Sequence, residues 1–262
     1  MIDHRPQTTK AHGAVVAAHT RRHWLAIGAA ALLVCLSGVA PAQTVLRLAR
    51  LENIPDQAVG AEILKAVYRR LDIAVEFVDL PAQRALIESS QGRVDGEVQR
   101  ILAVQDQYPS LIALRPSINY IEPSAFVKRV RFAVDGWSSI APYSIGIVRG
   151  VGSSERGTSG MARVEPVATM DQLMQMVAAE RFEVAVNDRF SGLLVIKRLR
   201  LDPVVQPLAP PLQHIALHHF LHESHRDLVP KVEQVLRSME ASGELERLRA
   251  QITARMLTDA EK

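Results

Sequence analysis

The sequence predicts an exported α/β protein built from two successive α/β units. Three observations carry that reading: an N-terminus patterned as an export leader, strand and helix signals that alternate from residue 45 onward, and a single cysteine, Cys35, placed inside the leader. With 262 residues, 48% hydrophobic and 23% charged, the composition is that of a globular chain and excludes disordered, collagen-like and multi-span membrane classes. The formal net charge is +3. Of 31 basic and 28 acidic residues, four (Arg5, Lys10, Arg21, Arg22) and one (Asp3) fall in residues 1–42, so the remainder holds 27 of each. A neutral body lacks the one-sided positive field that phosphate binding needs, which excludes a nucleic-acid partner.

In the leader, His19 to His23 (HTRRH) precedes the apolar run Trp24 to Val39, and Ala40-Pro41-Ala42 follows as a small-x-small cleavage site. This is the pattern of a Sec-type signal peptide over 1–42. An uncleaved anchor is the alternative, because 19 residues from Trp24 to Ala42 approach the length of a spanning helix. The long basic segment before the apolar run also allows a start downstream of Met1. Cleavage removes Cys35, so the mature body has neither disulfide nor thiol chemistry, which suits an exported protein with a large enough core.

Val45 to Ala49 reads as the first strand, and Gln57 to Leu71 as a helix with Val59, Ile63, Val67 and Leu71 on one stripe. Ile73 to Val78 is β-branched and short, hence a strand. Pro81 suits the first turn of a helix to Ser90, Gly92 caps its end, and Val94 to Val98 is the third strand. Such βαβαβ alternation builds a mostly parallel sheet with helices on both faces, and ligands gather beyond the carboxyl ends of its strands. Ser124 to Val134 is extended. A second α/β unit follows, from the strand Ser144 to Val148 through Val164 to Val167, a helix from Met170 to Ala179, the strand Val184 to Asn187 and a helix from Ser191 to Leu199. Pro203, Pro207, Pro210 and Pro211 mark a loop. His214 to Phe220 returns as a strand, and two helices, Leu228 to Met239 and Glu244 to Ile252, flank Gly243.

Several stretches carry a family resemblance: Pro81-Ala82-Gln83-Arg84-Ala85-Leu86 with Gly92 to Gly96, Ser144 to Ser153, Phe182 to Asp188, and Ile215-Ala216-Leu217 with Glu223 to Leu228 and Ser242-Gly243. In order and spacing they resemble the extracellular solute-binding proteins of family 3, the amino-acid-type receptors of ABC importers. The resemblance implies a class II, two-lobed periplasmic-binding-protein-like fold with two hinge crossovers. It places residues 43–126 and 220–262 in the first lobe and 127–219 in the second. It also implies a monomer that closes on a small solute for a membrane permease or sensor, with no cofactor.

Candidate ligand residues follow from strand ends and from the resemblance. Arg100, just past the third strand, offers a planar fork to a carboxylate, phosphate or sulfonate. Its alternative is a salt bridge to Glu97, although positions 97 and 100 of a regular strand point to opposite faces. Asp188, at the end of the strand Val184 to Asn187, stands where the family places its ammonium-binding aspartate, and it also suits an N-cap. Gly150, Ser153 and Ser154 form a turn whose backbone N–H groups suit an anion. Glu52 follows the first strand, Arg84 opens the second helix, and Tyr120 precedes the first crossover, where it can stack on a ligand or pack. The carboxylate-binding arginine that the resemblance implies near Tyr108-Pro109 is absent from that position, which leaves the solute open among small polar, anionic or zwitterionic molecules.

His214, His218, His219, His222 and His225 fall within twelve residues. On a strand the same-face members are about 13 Å apart, too far for one ion, so no metal site is expected. Nucleophile elbows, phosphate loops and HExxH patterns are absent from the sequence. The reading is therefore a receptor without catalytic residues. Its alternatives are an enzyme on the same fold, dehydratase-like, using Glu97 or Glu52 as acid or base, and a sensory partner that binds no small molecule.

Overall fold

The structure, a computed structural model, describes residues 45–260; the leader lies outside them. The first lobe opens with β1 (Val45–Leu51), α1 (Pro55–Arg69), β2 (Ala74–Leu80), α2 (Ala82–Ser90), β3 (Gly96–Arg100), the short α3 (Val104–Gln107), β4 (Leu111–Ala113) and β5 (Asn119–Ile121). The second lobe comprises β6 (Pro123–Val127), a 3₁₀ turn (Trp137–Ile140), β7 (Ile145–Val148), α4 (Gly152–Gly157), β8 (Val164–Val167), α5 (Met170–Ala178), β9 (Val184–Asp188), α6 (Arg189–Arg198) and β10 (Gln206–Pro207). The chain then returns through β11 (Ile215–His222), a 3₁₀ segment (Glu223–Leu228), α7 (Val229–Ala241) and α8 (Glu244–Asp259).

Each lobe has its own sheet. The first runs in the order β2-β1-β3-β11-β4 with β5 also on β11, and the second runs β10-β6-β9-β7-β8. Pairing of β1 with β2 and β3, and of β7 with β8 and β9, is parallel. Parallel strands put their carboxyl ends together, so both lobes present the loops after β1, β2, β7 and β8 at one edge. Sheet membership sets the crossings at Glu122 and at residues 213–214, because β6 from Pro123 belongs to the second sheet and all of β11 to the first. The sequence reading set them later, at 126 and 219. At the crossings β5 and β11 pair antiparallel, Ile121 opposite Ile215 and Asn119 opposite Leu217.

The helices form for local reasons. Pro55 starts α1, and Val59, Ile63, Leu64 and Val67 are buried along one face. Gly92, at φ 67°, ends α2 in the left-handed conformation that side chains resist. Thr169 caps α5 by accepting the Gln172 N–H at 3.1 Å. Side chains of α1, α7 and α8 bury Leu46, Leu48 and Val98 beneath them. Each fully buried aliphatic side chain contributes about 1.5–3 kcal/mol. Two further cores cover the faces of the second sheet, around Phe126 and Val148 and around Val127 and Ile145. Phe190 of α6 packs against the first lobe's core, joining the lobes beside the cleft.

One strand departs from its expected form. Arg100 is the last residue of β3 and not a residue beyond it. Between β3 and β11 the register runs from Arg100 opposite His218 to Glu97 opposite Phe220, so β3 carries one extra residue. This bulge sets Val98 and Gln99 both toward α1, where a Cβ at Gly60 would meet the two side chains. Glu97 and Arg100 both turn toward α2, which corrects the expectation that they face opposite ways. No helix among the described residues is long and apolar enough to cross a membrane.

Candidate functional site

A cavity of about 970 Å³ lies between the lobes at the carboxyl ends of their parallel strands. The first lobe lines it with Arg50, the turn Glu52-Asn53-Ile54 and Asp79, and the second with Arg149 to Val151, Thr169 to Asp171 and Arg198. Leu194, Val195 and Met256 give it an apolar side. Four of the charged side chains are already matched. Arg50 donates to both oxygens of Asp79 at 2.6 and 2.7 Å, and Arg198 to both of Asp171 at 3.0 and 2.5 Å. The guanidinium of Arg50 holds the Asp79 carboxyl below the usual carboxylate range. Glu52 and Arg149 remain. Both are exposed, they have opposite charge, they come from opposite lobes, and among the described residues neither side chain has a hydrogen-bond or ion-pair partner.

Where the lobes cross, a buried polar cluster forms. Gln99 donates to the Asp56 carboxylate at 2.7 Å and to its backbone carbonyl at 3.0 Å, and Asn119 donates to Gln99 at 3.2 Å. Burial raises the Asp56 carboxyl to about 7, and the negative charge of Asp188 on the other lobe adds to the effect. Burial raises the Asp188 carboxyl as well, against the N–H groups of Ser191 and Glu122, each donating at 2.9 Å. Gln57 Oε1, Ser154 Oγ and Asn187 Nδ2 are buried without a partner. Leaving such a group unpaired costs about 1–3 kcal/mol, so each is a place where a bound polar atom is favoured.

The expected site residues separate into three groups. Glu52 and Gly150 line the large cavity. Ser153 lines a second interlobe cavity of about 410 Å³ with Ile101, Trp137 and Arg156, while the buried Ser154 hydroxyl has no partner. The remaining five are engaged elsewhere. Arg100 pairs with Glu97 and donates to the Ala82 carbonyl at 2.9 Å, and Glu97, fully buried, also accepts from Ser89 at 2.9 Å. Asp188 caps α6 and holds the Glu122 N–H, so its oxygens are occupied by the first crossover and the helix. Tyr120 lines neither interlobe cavity, its ring lying 3.7 Å from the Arg249 guanidinium and 4.2 Å from the His214 ring. Arg84 is exposed on α2 beside Glu88 at 3.7 Å and lines neither interlobe cavity.

The expected backbone anion seat is also modified: the Gly150 N–H donates to Glu155 Oε1 at 2.8 Å, and α4 spans only six residues. Sequence reasoning passed over Arg149 and Asp56. Arg149 follows β7 as Glu52 follows β1, so the strand-end logic that selects one selects the other. No cluster of metal-ligating residues occurs among the described residues.

No family model and no curated protein sequence matches the chain. Solved structures do. A histidine kinase sensor domain with similarity to periplasmic binding proteins superposes with a TM-score of 0.61 at 17% identity, over 80% of this chain and 95% of that one. The L-cystine solute receptor of Neisseria gonorrhoeae, in its unliganded open conformation, gives 0.60 at 16% identity over 80% and 93%. An amino acid ABC transporter substrate-binding protein of Streptococcus pneumoniae bound to L-arginine gives 0.61 at 12% identity over 82% and 97%. The fold of this chain is the two-lobed fold of periplasmic binding proteins.

Proposed function

We propose that this two-lobed chain is an exported receptor that captures a small zwitterionic, amino-acid-like solute in the 970 Å³ interlobe cavity and presents it to a membrane importer or sensor. The observation that carries the reading is the opposition of Glu52 and Arg149 across that cavity while every other charged side chain lining it is paired. A carboxylate suits the planar fork of Arg149, and an ammonium suits Glu52. Each partner binds one end of the solute from one lobe, so the two contacts form together only when the lobes are close. Closure strengthens both contacts by excluding water.

The paired crossovers β5 and β11 supply the hinge, since two short extended segments absorb a rotation that the sheets do not. Apolar Leu194, Val195 and Met256 take the solute's side chain. An enzymatic alternative loses one of its two candidates, because Glu97 is fully buried and neutralised by Arg100. The titration of Asp56 near neutral pH belongs to the lobe crossing and not to this charged pair.

A thermal-shift panel of neutral amino acids, organic acids, polyamines and sugars tests the reading. Binding at a hundredfold excess over Kd stabilises by about 2.7 kcal/mol, which a melting curve resolves. Stabilisation by zwitterions above the other classes supports it. Stabilisation confined to sugars or polyamines, or by nothing in the panel, overturns it.

A further inference from the structure

The smaller interlobe cavity has a chemistry of its own. Two glycines of α4 let its walls pack against the helix backbone: a side chain at Gly157 would sit 2.3 Å from the Trp137 indole, and one at Gly152 would sit 2.9 Å from the Arg156 guanidinium. Trp137 is held by its indole N–H, which donates to Gln213 on the second crossover at 3.0 Å. Ile101 and Ile215, from the first lobe and the returning strand, complete an apolar wall opposite. Arg156 is exposed and, among the described residues, its guanidinium has no hydrogen-bond or ion-pair partner; the Ser153 hydroxyl lining the cavity has none either. A planar ring face, an aliphatic wall, one unpaired cation and one free hydroxyl meet in about 410 Å³, within the size range of small-molecule sites.

We propose that this chamber is a second binding site, for a small aromatic monocarboxylate, with the ring between Trp137 and the Ile101–Ile215 wall and the carboxylate on Arg156 and Ser153. The site deepens the receptor reading, on which it rests, by adding a ligand class that the Glu52–Arg149 cavity does not select. A neutral aromatic gains the ring contacts but not the charge-assisted hydrogen bonds, and a short aliphatic acid gains only the latter. Occupancy also touches the second crossover through Gln213 and Ile215, so it acts on the hinge directly.

The sequence supplies its own reporter. Trp24 and Trp137 are the only tryptophans, so the full chain carrying Trp24→Phe reads Trp137 alone. Benzoate titrated into that protein should change Trp137 emission saturably, while benzamide and acetate should bind at least about tenfold more weakly. Arg156→Gln should weaken benzoate by about tenfold or more and Arg156→Lys by less, with unchanged far-ultraviolet dichroism because the side chain is exposed. No saturable change, equal binding of benzamide, or a benzoate response insensitive to Arg156→Gln overturns the proposal. Benzoate at Trp137 reads the smaller chamber and the zwitterion panel reads the larger one, so either can fail while the other stands.

Discussion

Glu97 and Arg100, three residues apart on β3, form an ion pair that a regular strand forbids, and His219 holds the distortion that allows it. The bulge in β3 leaves the Glu97 carbonyl to accept from His219 Nδ1 at 2.7 Å. A carbonyl only accepts, so Nδ1 carries the proton and Nε2 accepts from the Tyr68 hydroxyl at 2.7 Å. Both protein partners suit the neutral ring. Burial lowers the His219 imidazole to about 4, which keeps it in that form.

Arg100→Ala should therefore act on stability first. It leaves the fully buried Glu97 carboxylate without its cation, a change that typically costs about 3–5 kcal/mol. Urea denaturation should show that loss, and adding Glu97→Leu should recover much of it. A midpoint unmoved by Arg100→Ala contradicts the pairing.

Two buried groups titrate in opposite senses in one pH window. The Asp56 carboxyl is raised to about 7 from the usual 3.8, so the folded state binds the extra proton and stability from this group is lost as pH rises through 4 to 7. The His219 imidazole is lowered from 6.5 to about 4, so the unfolded state binds the extra proton and stability is lost as pH falls from 6.5 toward 4. Asp56→Asn, which keeps an oxygen for Gln99, should stabilise the protein at pH 8 relative to pH 5 and uncover the histidine's fall on the acid side. Chemical denaturation at the two pH values measures it, and a variant with the parent's pH profile refutes it.

The opening β1–α1–β2–α2 segment was legible because each signal is local: Pro55 at a helix start, a buried stripe at helical spacing, Gly92 where the chain turns left-handed. The bulge was not. Nothing in Gly96 to Arg100 marks an extra residue, and its cause sits about 120 positions away in His219 and on the facing helix in Tyr68. The same non-locality hid the fate of Tyr120, whose ring is claimed by Arg249 of the last helix. Of the candidates at strand ends, Glu52 and Gly150 line the large cavity while Arg100 and Asp188 do not; Arg149, beside Gly150 at the end of β7, obeys the same rule.

Gly192→Ala tests the packing of α6 on the second sheet. A Cβ there would lie 2.2 Å from Cζ of Phe126, a fully buried ring with no room to retreat. Overpacking of this kind costs about 1–3 kcal/mol, against the small gain that alanine brings to an open helix position. A thermal melt at or above that of the parent protein contradicts the contact.

Phe190→Ala tests the seam between the lobes. The ring belongs to α6 of the second lobe yet packs on the first lobe's core, so its removal should loosen the join between the lobes. Small-angle scattering should record a larger radius of gyration for the variant without solute. Identical scattering curves place the joining contact elsewhere.

In the proposed site, Glu52 and Arg149 grip opposite ends of one solute. Calorimetric titration of the zwitterion giving the largest thermal shift, against the parent chain, Glu52→Gln and Arg149→Gln, tests it most directly. Each variant should lose about 1.5–3 kcal/mol of binding, the worth of a hydrogen bond to a charged group, or roughly tenfold to a hundredfold in Kd. Parent-like affinity in both variants contradicts the account.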